Sequence, residues 1–111
     1  MTHRYKIYSH EQLQAEEEIL QKKLREAEQL GRRSHVAVNK RKIEIVRSYR
    51  LNPADFKPGD VRELKEEPGH FFKIDEVNGV VAWGYRMAID TRREGILIAL
   101  LGDLADGHKD D

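Results

Sequence analysis

The sequence predicts an α+β protein, with an N-terminal antiparallel helical hairpin followed by a small antiparallel β-barrel. Three observations predict it. The first half carries apolar residues at helical spacing between capping signals. Asn78-Gly79 then separates two apolar runs, residues 71–77 and 80–86, as a two-residue hairpin turn does. Short apolar runs punctuated by turn residues continue as far as Leu101, which suits a small barrel better than a sandwich. These readings divide the 111 residues into a helical hairpin over 1–51, a linker over 52–60, a barrel over 61–101 and a flexible tail over 102–111.

Met1 to Tyr8 form a polar leader without a period. Helix one spans residues 9–30: Ser9-His10-Glu11-Gln12 is a capping box, and Tyr8 and Leu13 occupy the positions of a hydrophobic staple. Leu13, Leu20, Leu24 and Ala27 share one stripe, and Gly31 supplies a left-handed stop. Helix two spans residues 34–51. Ser34 is its expected cap, and Asn52-Pro53 ends it because the residue before proline is pushed out of the helical region. The short connection makes the pair antiparallel. Helix two carries two apolar stripes, Val36, Ile43 and Val46 beside Val38, Ile45 and Tyr49. Helix one can cover only one of them, which leaves the other for the β half or a second subunit.

Past the linker, where Phe56 is the expected anchor, the sequence predicts a strand over Val61 to Lys65, a turn at Pro68-Gly69, the hairpin, an uncertain stretch around Ala88 and Ile89, and the run Ile96 to Leu101, whose end reads equally well as a helical turn. A type I′ turn on Asn78-Gly79 pairs Val77 with Val80, Ile74 with Trp83 and Phe72 with Tyr85. Phe72, Ile74, Val81, Trp83 and Tyr85 are then core, and Lys73, Asp75 and Arg86 are exposed.

Composition narrows the function classes. There is no cysteine, hence no disulfide framework and no thiolate metal site. No apolar segment follows Met1, and the run Ile96 to Leu101 is far shorter than the ~20 residues of a membrane helix. The expectation is a cytoplasmic protein with no membrane partner. Net charge is zero, yet residues 1–51 hold twelve Lys/Arg against seven Asp/Glu, while residues 52–111 hold eight against thirteen. Such asymmetry suits a polyanionic partner or a contact between opposite ends.

Leu51-Asn52-Pro53-Ala54-Asp55, Pro58-Gly59 and Asn78-Gly79-Val80-Val81-Ala82-Trp83-Gly84-Tyr85-Arg86 resemble the YfhH-like family of small proteins from Bacillus and related Firmicutes. The resemblance runs from helix one through Leu101. It implies a helical hairpin followed by an SH3-like barrel, with no catalytic residues to transfer. The family is uncharacterised and carries a provisional label of transcriptional regulator.

The residues themselves support a non-enzymatic protein without cofactor or metal. His3, His10, His35, His70 and His108 fall at no ligand spacing. Ser9 and Ser34 are explained as caps, and Ser48 has no base at motif spacing. Asp75 and Glu76 point to opposite faces of a strand and cannot converge as an acid/base pair without a bulge. Helix two offers the candidate nucleic-acid contacts, Arg33, Lys40, Arg41 and Arg47; the alternative is pairing with Glu16 and Glu17 across the hairpin. Val38, Ile45, Tyr49, Phe71 and Arg86 are the candidate partner surface, for a homodimer or another protein. DNA or RNA binding and protein interaction both stay open.

Overall fold

Ser9 sets the start of the first long helix in the computed structural model, which describes residues 4–87 and 92–105. Its hydroxyl accepts from the Gln12 backbone N–H at 3.1 Å, and Gln12 Oε1 accepts from the Ser9 N–H at 2.8 Å. Two orphan donors are thereby satisfied, and α1 runs His10–Gln29. Gly31, at φ 67°, ends it. The N–H of Arg32 reaches the Ala27 carbonyl at 3.0 Å and that of Gly31 the Glu28 carbonyl at 3.2 Å, the paired bonds of a Schellman stop. The next helix, α2, follows at once as Arg33–Arg50, with Arg32 at its N-cap and no side-chain cap bond. Ser34, the expected cap, therefore lies inside the first turn, because the Schellman bonds reverse the chain before it.

The chain divides into two compact units that meet between Leu51 and Asn52. In the first, Leu13 and Leu20 of α1 bury against Ile43 and Val46 of α2. The leader is not featureless: Arg4–Ile7 form a 3-10 turn that buries Tyr5. The Tyr5 ring lies 6.4 Å from Tyr49 and 5.3 Å from Tyr8, and its hydroxyl donates to Glu16 at 2.9 Å.

The second unit is a five-stranded antiparallel sheet of β1 Val61–Leu64, β2 Glu67–Asn78, β3 Val81–Arg86, β4 Glu94–Leu97 and β5 Leu101–Leu104, with a 3-10 turn, Ile98–Leu100, between the last two. The order β4-β3-β2-β1-β5 leaves β4 and β5 as the two edges, so the sheet is not closed. Phe72, Ile74, Ala82, Ile98 and Leu101 are buried. The helical turn that the end of the apolar run allowed forms as a 3-10 turn at Ile98–Leu100, which splits the run between two strands, and Gly102–Leu104, expected in the tail, complete β5. The stretch at Ala88 and Ile89 and the rest of the tail lie outside the described residues.

The hairpin forms with a different register. Asn78 pairs with Val81, Glu76 with Trp83, and, past a bulge at Asp75, Ile74 with Gly84 and Phe72 with Arg86. Gly79, at φ 61°, is the first residue of a Gly79-Val80 loop, and Val80 turns inward to 8% exposure. Shifting the pairing by one residue exchanges the faces of a strand. Ala82 and Gly84 are consequently inside, Trp83 and Val81 are half-buried, and Tyr85 is exposed. The adjacent valines at 80 and 81 make either register hydrophobically acceptable. Gly84 permits the observed one, because a Cβ there would lie 1.9 Å from the Lys73 carbonyl oxygen. The β1–β2 connection is likewise displaced: Leu64 pairs with Glu67, and Pro68, Gly69 and His70 bulge from β2 instead of forming the turn.

Arg62 ties this unit together. Its guanidinium lies 4.5 Å over the Phe56 ring and donates to the carbonyls of Gly102 at 3.0 Å and Asp55 at 2.9 Å. The linker, β1 and β5 are joined through one planar donor set.

Candidate functional site

Seven residues are close to two turns of an α-helix, so Arg33, Lys40 and Arg47 form one row along α2, with successive members roughly 10 Å apart. Arg41 points about 100° away from that row. Arg33 and Lys40 are exposed and make no ion pair among the described residues. Arg47 donates to Glu17 of α1 at 2.9 Å, and Arg50 reaches the same carboxylate at 2.6 Å. Arg41 pairs with Glu44 on its own helix at 3.2 Å. Pairing across the hairpin, the expected alternative, thus engages Arg47; Arg41 pairs within its own helix, and Arg33 and Lys40 have no ion pair among the described residues.

Glu17 feels two opposing effects. Burial of its carboxylate, 14% exposed, pushes the pKa up, but the bonds from Arg47 and Arg50 outweigh it and hold the group below its ordinary value. Glu16, the other expected partner, turns instead to Tyr5 and to Arg4 at 3.6 Å.

The apolar candidates also separate. Val38 is 50% exposed. Ile45 and Tyr49 pack against the helical core, together with Tyr8 and Leu24. Two members of the second stripe, Ile45 and Tyr49, therefore find cover within their own unit, beside a leader that sequence periodicity passes over, while Val38 stays open. In the β unit Arg86 is held by Glu67, at 2.7 and 2.8 Å, and by Glu94 at 2.8 Å. The bonds from Arg86 lower the Glu67 pKa, and those carboxylates raise that of Arg86.

The bulge at Asp75 has a chemical consequence. It lets Asp75 and Glu76 converge, and both bind Arg93: Asp75 at 3.0 and 3.1 Å, Glu76 at 2.7 Å. The guanidinium also lies 5.3 Å from the Trp83 ring centroid. These bonds raise the Arg93 pKa and tie up both carboxylates in an ion pair. Nothing in the order of residue types announces this cluster, because the bulge that creates it is a tertiary feature. Among the described residues no group of three or more His, Asp or Glu side chains is placed to hold a metal ion.

Phe71, half-buried, lines a groove of about 550 Å³ with Met87, Leu104 and Ala105, and Glu63 and Asp103 are its ionisable groups. Phe71 does not face Arg86 as the predicted register has it; it pairs with Glu63 of β1. Sequence reasoning does not find Met87 and Leu104, which lie at the end of a strand and in the expected tail.

The profile of one family, described as protein of unknown function (DUF1811), matches residues 3–102. The chain belongs to this DUF1811 family. It is 37% identical over 101 residues to the uncharacterized protein YfhH of Bacillus subtilis (strain 168), covering 91% of this chain and 96% of that protein. The DUF1811 match thus spans both units, from the leader into β5. No helix among the described residues is long and apolar enough to cross a membrane.

Proposed function

We propose that this protein is a non-enzymatic cytoplasmic binding module that contacts nucleic acid through the free cations of α2, in keeping with a regulatory role. One observation carries the reading: Arg33 and Lys40 stay exposed and make no ion pair among the described residues, although Arg41, Arg47, Arg50, Arg62, Arg86 and Arg93 are all engaged with carboxylates. Cations left free on one helical face are available to neutralise phosphates. Arg32, exposed beside the helical turn, extends the set, so the contact is centred on the turn end of the hairpin. Few of these side chains are placed for bidentate base reading, which makes binding weak in sequence preference. The second unit is read as an SH3-like fold whose sheet stays open between β4 and β5, since its strand order and the 3-10 turn between those strands suit that connectivity.

Fluorescence anisotropy with a labelled short duplex of mixed sequence tests the reading. Replacing Arg32, Arg33 and Lys40 by Ala removes most of the affinity and leaves the melting temperature within a degree or so, because surface changes of this kind are nearly neutral. Equal affinity of parent and variant, or no binding by the parent at ~50 mM salt, where phosphate neutralisation is strong, refutes it. The groove of Phe71, Met87 and Leu104 favours a second reading, a protein-interaction module with no nucleic-acid contact.

A further inference from the structure

The groove in the β unit has a chemical character of its own. Phe71 and Ala105 are half-buried, and Met87 and Leu104 leave 39% and 36% of their surface open, whereas the core aliphatics beside them are under a tenth exposed. Its volume, about 550 Å³, falls within the ~300–1,000 Å³ of ligand-binding clefts. Among the described residues that line it, Glu63 and Asp103 are the ionisable groups and no lysine or arginine lines it, while Lys73, opposite Val61 across the strands, stays exposed outside the lining. Glu63 also accepts the Gly69 N–H at 2.9 Å, which fixes that carboxylate, while Asp103 stays exposed on the edge strand β5. The unpaired side of an edge strand admits an extended chain.

We propose that this groove docks a cationic peptide segment of a partner protein, seating one apolar side chain against Phe71, Met87 and Leu104 with a flanking lysine or arginine at Glu63 and Asp103. The apolar side chain supplies the favourable burial, and methionine adapts its shape to the occupant. The two carboxylates select the flanking charge and repel acidic segments. The surplus of acids over bases in residues 52–111, thirteen to eight, acts in the same direction at longer range. This inference is independent of the nucleic-acid reading, since it uses none of the α2 cations.

The test is a titration of the ¹⁵N-labelled full chain with acetyl-Lys-Leu-Lys-amide, followed by amide chemical shifts. Saturable shifts confined to Glu63, Phe71, Met87, Asp103 and Leu104 are expected. Acetyl-Glu-Leu-Glu-amide should leave the same amides unmoved, and acetyl-Lys-Gly-Lys-amide should fail to saturate them. Asp103→Lys, a change of an exposed carboxylate, should weaken the Lys-Leu-Lys probe roughly tenfold, as expected when a close surface attraction becomes repulsion. Leu104→Ser should weaken it with the charge preference retained. Absence of groove shifts, or equal response to the acidic and basic probes, overturns the proposal. So do groove shifts that depend on protein concentration without peptide, because they assign the groove to a second copy of the chain.

Discussion

Gly84 occupies a place where β2 leaves no room for a side chain. Its built Cβ meets the Lys73 carbonyl oxygen at 1.9 Å and the carbonyl carbon at 2.9 Å, both backbone atoms that cannot swing aside. Gly84→Ala is therefore expected to cost about 1–3 kcal/mol or more, the usual range for overpacking. Urea denaturation checks it: an unchanged midpoint would show that the strands are not this close. Glu17 makes a different residue-scale prediction. A folded-state pKa held below the ordinary 4.5 means that this carboxylate contributes stability above that pH and loses it as pH falls through the lowered value. Glu17→Gln should cost about 0.5–1 kcal/mol near neutrality, the size of a partly exposed pair. The parent and variant melting temperatures should converge in acid, and a gap that persists at low pH would contradict the ion-pair account.

At the scale of the elements, local chemistry was the readable part. The capping box at Ser9, the stop at Gly31 and the break at Asn52-Pro53 are short-range rules, and α1 and α2 obey them to within a few residues. Features that depend on distant atoms were not readable. Ser34 lost its cap because the Schellman bonds act first. The Asn78-Gly79 signal found the hairpin but not its register, since the close approach at Gly84 comes from Lys73, eleven residues away in the chain. The 3-10 leader came from a single aromatic, Tyr5, that has no period to announce it. Trp83 shows what the register decides. It is half-buried, beside Arg93 and over Gly95, whose built Cβ would lie 3.0 Å from its ring. Acrylamide should therefore quench this only tryptophan in the native protein. Trp83→Ala should cost about 2 kcal/mol, below the ~3–5 kcal/mol of a fully buried ring. Quenching no greater than for a buried indole would restore it to the core.

For the whole molecule, zero net charge conceals two units of opposite sign, twelve bases to seven acids in residues 1–51 and eight to thirteen in residues 52–111. The candidate site was partly legible at this scale. The sequence located the excess on α2, but which cations stay free depends on where the carboxylates of α1 fall, and that required the hairpin geometry. Glu17 takes two arginines at the far end, and Arg32, Arg33, Lys40 and Lys42, exposed and without an ion pair among the described residues, carry the available charge between the turn and the middle of α2. The measurement that tests this directly is the slope of log K against log salt for duplex DNA, compared between the parent and an Arg33→Ala, Lys40→Ala double variant. Each phosphate contact contributes about 0.9 to the slope. The account predicts that the variant's slope is shallower by roughly 2, with lower affinity at every salt concentration. A parent slope near zero, or identical slopes for parent and variant, would contradict it.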